Sequence, residues 1–456
     1  MTSRRDFLNR SAAALSAGAL HFQVPNLLRA SDRPRPSQSQ LEWQRDELAM
    51  FLHFGVNTFS DREWGDGKED PAIFAPNALD ARQWARAARA AGFRTMILTA
   101  KHHDGFCLWP SRTTDHSVAK SPFRGGNGDV VREFTDACRA EGLKAGVYLS
   151  PWDRNAPAYG DSARYNDMYD AQLTELLTGY GQIHEVWFDG ANGEGPSGKR
   201  QVYDWPRVWG LVRKLQPKAV MFSDAGPDVR WIGNENGSAG ETNWSTVDPA
   251  VVPYPGVSGA AVMRMLQQGD PEGSVWRPGE TDVSIRPGWF NHAAEDAKVR
   301  SVDNLVSLYF SSVGRNSKLL LNVPPTRQGL LNDVDVARVA GMRQRLDALL
   351  SNEGMRGQRL KWRARDRSAV GEADLDHLAR VSIVELSEDI QHGQLVARYL
   401  VEGFDGSAWR TLSRGTTIGN RKLDQFAPAT IKRVRLTIEE AVEKPRPVAL
   451  RLFAGA

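Results

Sequence analysis

The chain predicts an α/β fold: a (β/α)8-type barrel over residues 41–350, followed by an all-β sandwich domain over 355–456. Three observations carry this expectation. From residue 49 to about residue 345, short apolar runs alternate with longer amphipathic ones, a rhythm that pairs strands in parallel through right-handed crossovers. The number of such units exceeds what a small open sheet requires, which favours closure into a barrel. After about residue 355 the runs become short, β-branched and separated by Gly, Asp, Asn and Pro, as in strands joined by turns.

Residues 49–56 read as the first strand and carry His53. Residues 80–91 follow as a helix, with Ala81, Trp84, Ala85 and Ala88 on one face. A strand over 95–101, a helix over 129–141 and a strand over 144–150 come next, the last running into Pro151-Trp152-Asp153. Residues 167–180 read as helix, 185–188 as the fourth strand, 203–215 as a helix bent near Pro206, and 219–223 as the fifth strand. Segment 225–300 is dense in Gly, Pro and Trp, shows no clear period, and reads as loops lining a site. A helix over 301–313, a strand over 318–323 and a helix from residue 333 complete the barrel. In the second domain, runs at 379–385, 395–402, 408–412, 416–418, 431–438 and 448–453 read as strands.

Hydrophobic residues form 41% and aromatic residues 9% of the 456, enough for a sizeable core. The 58 basic and 55 acidic side chains leave a formal charge of +3, spread along the length, so no basic stripe for nucleic acid is present. Residues 1–30 read as a targeting segment. Arg4 and Arg5 precede a weakly apolar run from Ser11 to Phe22, resembling a bacterial twin-arginine signal and too short for a permanent membrane span. The expected location is therefore periplasmic or secreted, with residues 31–40 a flexible lead-in. Cys107 and Cys138 are the only two cysteines, have no partners at metal-ligand spacing, and are expected to be buried free thiols. Many of the 14 tryptophans, among them Trp64, Trp109, Trp152, Trp187, Trp231, Trp244 and Trp289, lie beside strand ends or turns. Flat rings there can stack on apolar sugar faces; the plainer reading of each is core or rim packing.

Val186-Trp187-Phe188-Asp189-Gly190 sets a carboxylate where a buried strand ends, badly placed for packing and well placed for chemistry. Lys101-His102-His103, Asp153, Asp224 and His53 hold comparable positions, and Glu63 and Trp64 follow the first strand in a loop. In a continuous strand His102 and His103 would point to opposite sides, so only a bend there would bring both to one pocket. A zinc site could draw on His53, His102, His103 and Asp189, but no HxH or HExxH pattern is present, and neutral histidines bonding sugar hydroxyls need no metal. Glycoside hydrolysis needs two carboxyl groups. Asp189 is the natural nucleophile, and the glycine-rich segment from Trp231 to Ser245 offers Glu235 and Glu241 as acids.

His53-Phe54-Gly55, His102-His103-Asp104-Gly105-Phe106 and Trp187-Phe188-Asp189-Gly190, in that order, resemble the hallmark segments of the retaining α-L-fucosidases of glycoside hydrolase family 29. The similarity continues through residues 231–245, Arg286-Pro287-Gly288-Trp289-Phe290 and 319–325, and into the β-domain at Glu388-Asp389-Ile390 and Gly415–Gly419. The resemblance implies Asp189 as nucleophile and Glu235 as acid/base, with no cofactor or metal. It also implies His53, Glu63, Trp64, His102 and His103 as fucose contacts, Trp289 near the sugar methyl, and Trp152 or Asp153 as further contacts. The implied substrates are fucosylated oligosaccharides or glycoconjugates, with a preference for α-1,3 and α-1,4 linkages on branched glycans. The competing readings are a non-catalytic fucosylated-glycan-binding protein and a metal-dependent hydrolase using the histidine cluster.

Overall fold

The computed structural model describes residues 33–351, 353–355 and 358–455. The expected export signal lies outside them. The strands of the first domain are β1 (Leu48–Leu52), β2 (Thr95–Lys101), β3 (Lys144–Leu149), β4 (Glu185–Trp187), β5 (Val220–Ser223), β6 (Val229–Trp231), β7 (Thr246–Val247), β8 (Val275–Trp276), β9 (Gly279–Ser284) and β10 (Ser317–Asn322). Eight of them close a parallel barrel in the order β1-β10-β9-β6-β5-β4-β3-β2, while β7 and β8 form a separate antiparallel pair. Closure is direct, since β1 pairs with both β2 and β10.

The period-two rule of a strand decides which side chain faces where. On β1, Leu48, Met50 and Leu52 pack in the layer between barrel and helices, while Ala49 and Phe51 turn inward to meet Trp187, Tyr148, Phe222 and Leu320. The outer layer is closed by amphipathic helices such as Ala81–Ala90 and Val130–Ala140, capped by the Asp80 and Asp129 side chains, which accept the Arg82 and Arg132 N–H groups. Residues 38–40 are not part of a flexible lead-in. Ser37 and Gln40 form a capping box that starts the helix Gln38–Asp46, and its Trp43 Nε1 donates to Glu185 Oε2 at 2.9 Å across the barrel floor.

The barrel strands that sequence patterning misses, β6 and β9, lie in the segment read as loops, as do β7 and β8. β9 is Gly-Glu-Thr-Asp-Val-Ser, fully buried yet polar on alternate positions. Its Glu280 and Asp282 accept the indole N–H groups of Trp187 and Trp231 at 3.0 and 2.7 Å. A polar run survives inside the barrel because each acid meets an indole donor, and that pairing is invisible to a periodicity argument. Pro206 does not bend its helix; it sits in the first turn of Trp205–Leu215, where proline's missing N–H costs nothing. The helix read at 167–180 begins earlier, as Ser162–Gly179.

The C-terminal domain contains β11 (Lys361–Arg365), β12 (Ser368–Ser387), β13 (Val396–Phe404), β14 (Trp409–Gly415), β15 (Lys422–Ala441) and β16 (Ala449–Phe453). They form a six-stranded antiparallel sheet, the all-β domain expected after residue 355, with strands longer than the runs read from sequence. β12 and β15 run through its whole length, with register shifts between Asp374/Ala379 and Val381/Ile383. Such irregularities bend a long strand and break its alternation, so from sequence each strand reads as shorter pieces. Cys107 and Cys138 are free and buried. Among the described residues no helix is long and apolar enough to cross a membrane.

Candidate active site

The loops leaving the C-terminal ends of the barrel strands bring the polar groups together. β4 stops at Trp187, and Asp189 follows with its side chain 12% exposed. Its Oδ1 accepts the Ala191 N–H at 2.7 Å, a turn bond that fixes the carboxylate. Tyr148, near the end of β3, donates its hydroxyl to Oδ2 at 3.3 Å, and His103 Nε2 lies 4.0 Å from the same oxygen.

Both adjacent histidines reach this mouth because the strand ends before them. β2 terminates at Lys101, the Gly105 N–H closes a turn on the His102 carbonyl at 3.0 Å, and Gly105 sits at φ +82°. A Cβ at Gly105 would meet Asp153 Oδ1 at 2.5 Å, so the turn needs glycine for space as well as for conformation. The two imidazole centroids end 4.2 Å apart. Ser150 donates its hydroxyl hydrogen to the Trp152 carbonyl at 2.6 Å, so His103 Nδ1, 2.7 Å from Ser150 Oγ, must be the donor in that contact. That leaves Nε2 on the Asp189 side.

His53 is oriented by the amide that ends β10. Its Nδ1 and its backbone N–H lie 2.8 and 3.2 Å from Asn322 Oδ1. Asn322 Nδ2 in turn donates to Ser284 Oγ at 2.9 Å and the Trp289 carbonyl at 2.8 Å, which fixes the amide and makes His53 Nδ1 the donor. Burial lowers the His53 pKa to about 3, against the opposing pull of the Asn322 bond and of Asp189. Burial, then the neighbouring His103 and His53, holds His102 well below its ordinary value. Two neutral imidazoles therefore line the mouth: His53, whose one N–H is given to Asn322, can accept from a hydroxyl group at Nε2, and His102 can accept or donate.

Aromatic rings wall the same space. Trp64 meets His103 and Trp152 edge-on at 5.8 and 5.7 Å, Trp152 lies 4.9 Å from His103, and Trp289 lies 5.1 Å from His53. Glu63 is committed to holding the wall in place: its carboxylate accepts the Trp289 and Phe290 N–H groups at 2.7 and 3.2 Å and lies 2.7 Å from His292 Nε2. His292 Nδ1 is 2.8 Å from Asp61 Oδ1. Burial opposes the charged ring, but its bonds to Asp61 and Glu63 prevail and raise its pKa.

Asp153 has its carboxylate engaged by other partners. Its carboxylate takes Lys101 Nζ at 2.9 Å, a pair with both side chains at most 1% exposed, and the Asn155 and Ala156 N–H groups at 3.0 and 2.8 Å. Lys101 also donates to Gln172 Oε1 at 2.9 Å. The pair ties the β2 and β3 ends to the helix Ser162–Gly179. Asp224 accepts the Gly256 N–H at 3.1 Å. Glu235 is half-buried in the loop after β6, shaped by an Asx turn in which Asn234 Oδ1 accepts the Asn236 N–H at 3.0 Å. Glu241, further along the loop, is 83% exposed at the side chain and lies 3.7 Å from Arg315 Nη2.

Tyr148, Ser150, Asn322, Asp61 and His292 were not singled out from sequence. Tyr148 and Ser150 had a signal, since alternate positions of one strand share a face. Asn322 closes an all-leucine run and could have been noticed for the same reason as Asp189. The His292 contact joins segments far apart in the chain and had no local signal. Among the described residues, no group of three or more His, Cys, Asp or Glu side chains is arranged to hold a metal ion.

A sequence model of the family described as Alpha-L-fucosidase matches residues 68–348. The chain belongs to this family, the α-L-fucosidases of glycoside hydrolase family 29. Among relatives, Alpha-L-fucosidase 1 of Arabidopsis thaliana is 42% identical over 451 residues, covering 92% of this chain and 87% of the relative. A glycoside hydrolase 29 family member from an unknown rumen bacterium is 40% identical with a TM-score of 0.85, covering 93% of this chain and 78% of that one. A Ruminococcus gnavus GH29 fucosidase, solved in complex with fucose, is 29% identical with a TM-score of 0.84, covering 95% and 97% of the two chains. Family membership makes the chain a glycoside hydrolase.

Proposed function

We propose that the chain is a retaining exo-α-L-fucosidase that removes α-1,3- or α-1,4-linked L-fucose from branched glycans, acting after twin-arginine-type export. The observation that carries the reading is the Asp189 carboxylate, fixed by the Ala191 N–H at the barrel mouth and faced by Tyr148 and His103. An Asp189 oxygen attacks C1 of fucose as the C1–O bond breaks, and Glu235 gives its proton to the leaving oxygen. Glu235, now a carboxylate, takes a proton from water; that water's oxygen bonds to C1 and releases Asp189. His53, His102 and His103 bond the sugar hydroxyls, while Trp64, Trp152 and Trp289 cover its apolar faces. Glu63 acts on the sugar through the Trp289 segment that it holds.

Glu235 is preferred to Glu241 because it lies nearer the strand end on the same loop and is half-buried. The exposed Glu241 lies beside Arg315. The linkage preference rests on the resemblance of the Glu235 segment and the β-domain. The deciding experiment is Asp189→Gly on a fucosylated branched oligosaccharide followed by NMR. We expect α-fucose as the first-formed anomer with the unaltered chain, a nearly inactive but folded variant, and recovery with azide to give β-fucosyl azide. Activity unchanged by the substitution, or β-fucose formed first, would overturn the reading.

A further inference from the structure

The loop that carries Glu235 belongs to the barrel by sequence and to both domains by its bonds. It runs over residues 232–245, between β6 and β7, with no regular element. Ordering such backbone costs roughly 1–2 kcal/mol per residue, so its conformation depends on what pins it. The barrel pins the first part: the Ile232 N–H donates to the Glu280 carbonyl at 3.0 Å and the Ala239 N–H to the Ser311 carbonyl at 2.8 Å.

The β-domain pins the second part. Thr242 Oγ1 lies 2.9 Å from Thr416 Oγ1, and the Asn243 N–H donates to Thr417 Oγ1 at 2.8 Å. The Ser245 N–H donates to Gln394 Oε1 at 2.7 Å, and Gln394 Nε2 returns to the Asn243 carbonyl at 3.1 Å. A second arm is indirect. Next to β15, the Asn316 N–H donates to the Arg421 carbonyl at 3.0 Å and the Leu423 N–H to the Gly314 carbonyl at 2.9 Å. From the turn so held, Arg315 Nη1 donates to the Ala239 carbonyl at 2.9 Å and Asn316 Nδ2 to the Asn243 carbonyl at 3.0 Å. Asn243, Asn316, Gln394 and Thr417 are at most 4% exposed, so water cannot readily replace these bonds.

We propose that the β-domain is a clamp on the acid/base loop, with Gln394 and Thr417 as positioning residues for proton transfer by Glu235. The inference rests on the reading of Glu235 as the acid/base. A misplacement of about 1 Å can lower a rate about a hundredfold, and protonation matters most when the leaving group is poor. Loosening the loop therefore slows the first step, in which the leaving group departs, for glycan substrates while sparing that step for an activated aryl fucoside.

The test compares Thr417→Val, which keeps the shape and removes the accepting hydroxyl, with Thr417→Ser, which restores it, and with Gln394→Ala. Each is assayed on a fucosyl disaccharide and on 2,4-dinitrophenyl fucoside, with a melting curve recorded to confirm folding. Thr417→Val is expected to lose about tenfold in kcat/KM, which reports the fucosyl-transfer step, on the disaccharide and under about twofold on the aryl fucoside, with Thr417→Ser close to the unaltered chain. Equal losses on both substrates, or no loss on either in Thr417→Val and Gln394→Ala, would overturn the clamp. Glu235→Gln is run in parallel. If it lacks the leaving-group dependence, the acid assignment fails; if it has that dependence and Thr417→Val does not, the clamp alone fails.

Discussion

One strand carries two acids with opposite fates. Glu185 opens β4 on the barrel floor and is fully buried; Asp189 follows the strand at the mouth. On the floor, Glu185 Oε2 accepts the Trp43 indole N–H at 2.9 Å, Glu280 Oε1 accepts that of Trp187 at 3.0 Å, and Lys318 Nζ stands 3.8 Å from Glu185 Oε2. Burial pushes both floor carboxyl groups above the usual carboxylate range, joined for Glu280 by the charge on Glu185 and opposed for both by Lys318. At the mouth, the turn N–H of Ala191 and the hydroxyl of Tyr148 surround Asp189 with donors. The same functional group is thus sealed internal packing at one end and, in the function proposed above, the reagent at the other. The difference is access, set by where the strand stops.

The largest effect should separate the two ends through chemistry. Asp189→Gly should lose about 10⁴-fold in kcat with little change in unfolding free energy, whereas Glu185→Gln should keep kcat within about threefold. Equal losses of activity from both would erase the distinction. The next effect separates them through stability. Lys318→Met leaves two buried carboxyl groups without their cation and should cost about 3–5 kcal/mol in a denaturant titration, with kcat of the folded fraction little altered.

Acid sharpens the contrast further. His53 and His102 take protons in the unfolded chain below about pH 6.5, but in the folded chain only far lower, near 3 for His53. Stability is therefore complete above about pH 6.5 and falls as pH drops below it, by about 2 kcal/mol at pH 5 for His53 and in the same direction for His102. Denaturant titrations at pH 7 and 5 should show this fall, and His53→Asn should remove the His53 share of it, about 2 kcal/mol. His292 has the opposite sign. Its pKa is raised by Asp61 and Glu63, so its contribution is present below about pH 6.5 and is lost as pH rises through the folded value. That contribution should be visible as a stability difference from His292→Gln that shrinks on the alkaline side.

Much of this was legible because strand ends announce themselves. An apolar run closed by Asp189, and another closed by Lys101-His102-His103, mark side chains that packing cannot explain. The contacts that orient those groups were less legible. Ser150 sets the His103 donor, Asn322 sets the His53 donor, and Glu63 and His292 hold the tryptophan wall from widely separated segments. Asp153 has the residue type and position of a sugar contact, yet Lys101 claims its carboxylate.

The order of apolar and amphipathic runs was enough for the chain to declare six of the eight barrel strands, the change to an all-β domain, and the acids and histidines at strand ends. These are properties of neighbouring residues, and periodicity reports on neighbours. Closure of the ring through β6 and β9, the pairing of buried acids with indoles, and the grip of the β-domain on the Glu235 loop were decided only in three dimensions. Each depends on a polar group finding its partner across the fold, where burial makes the bond obligatory and chain distance carries no information.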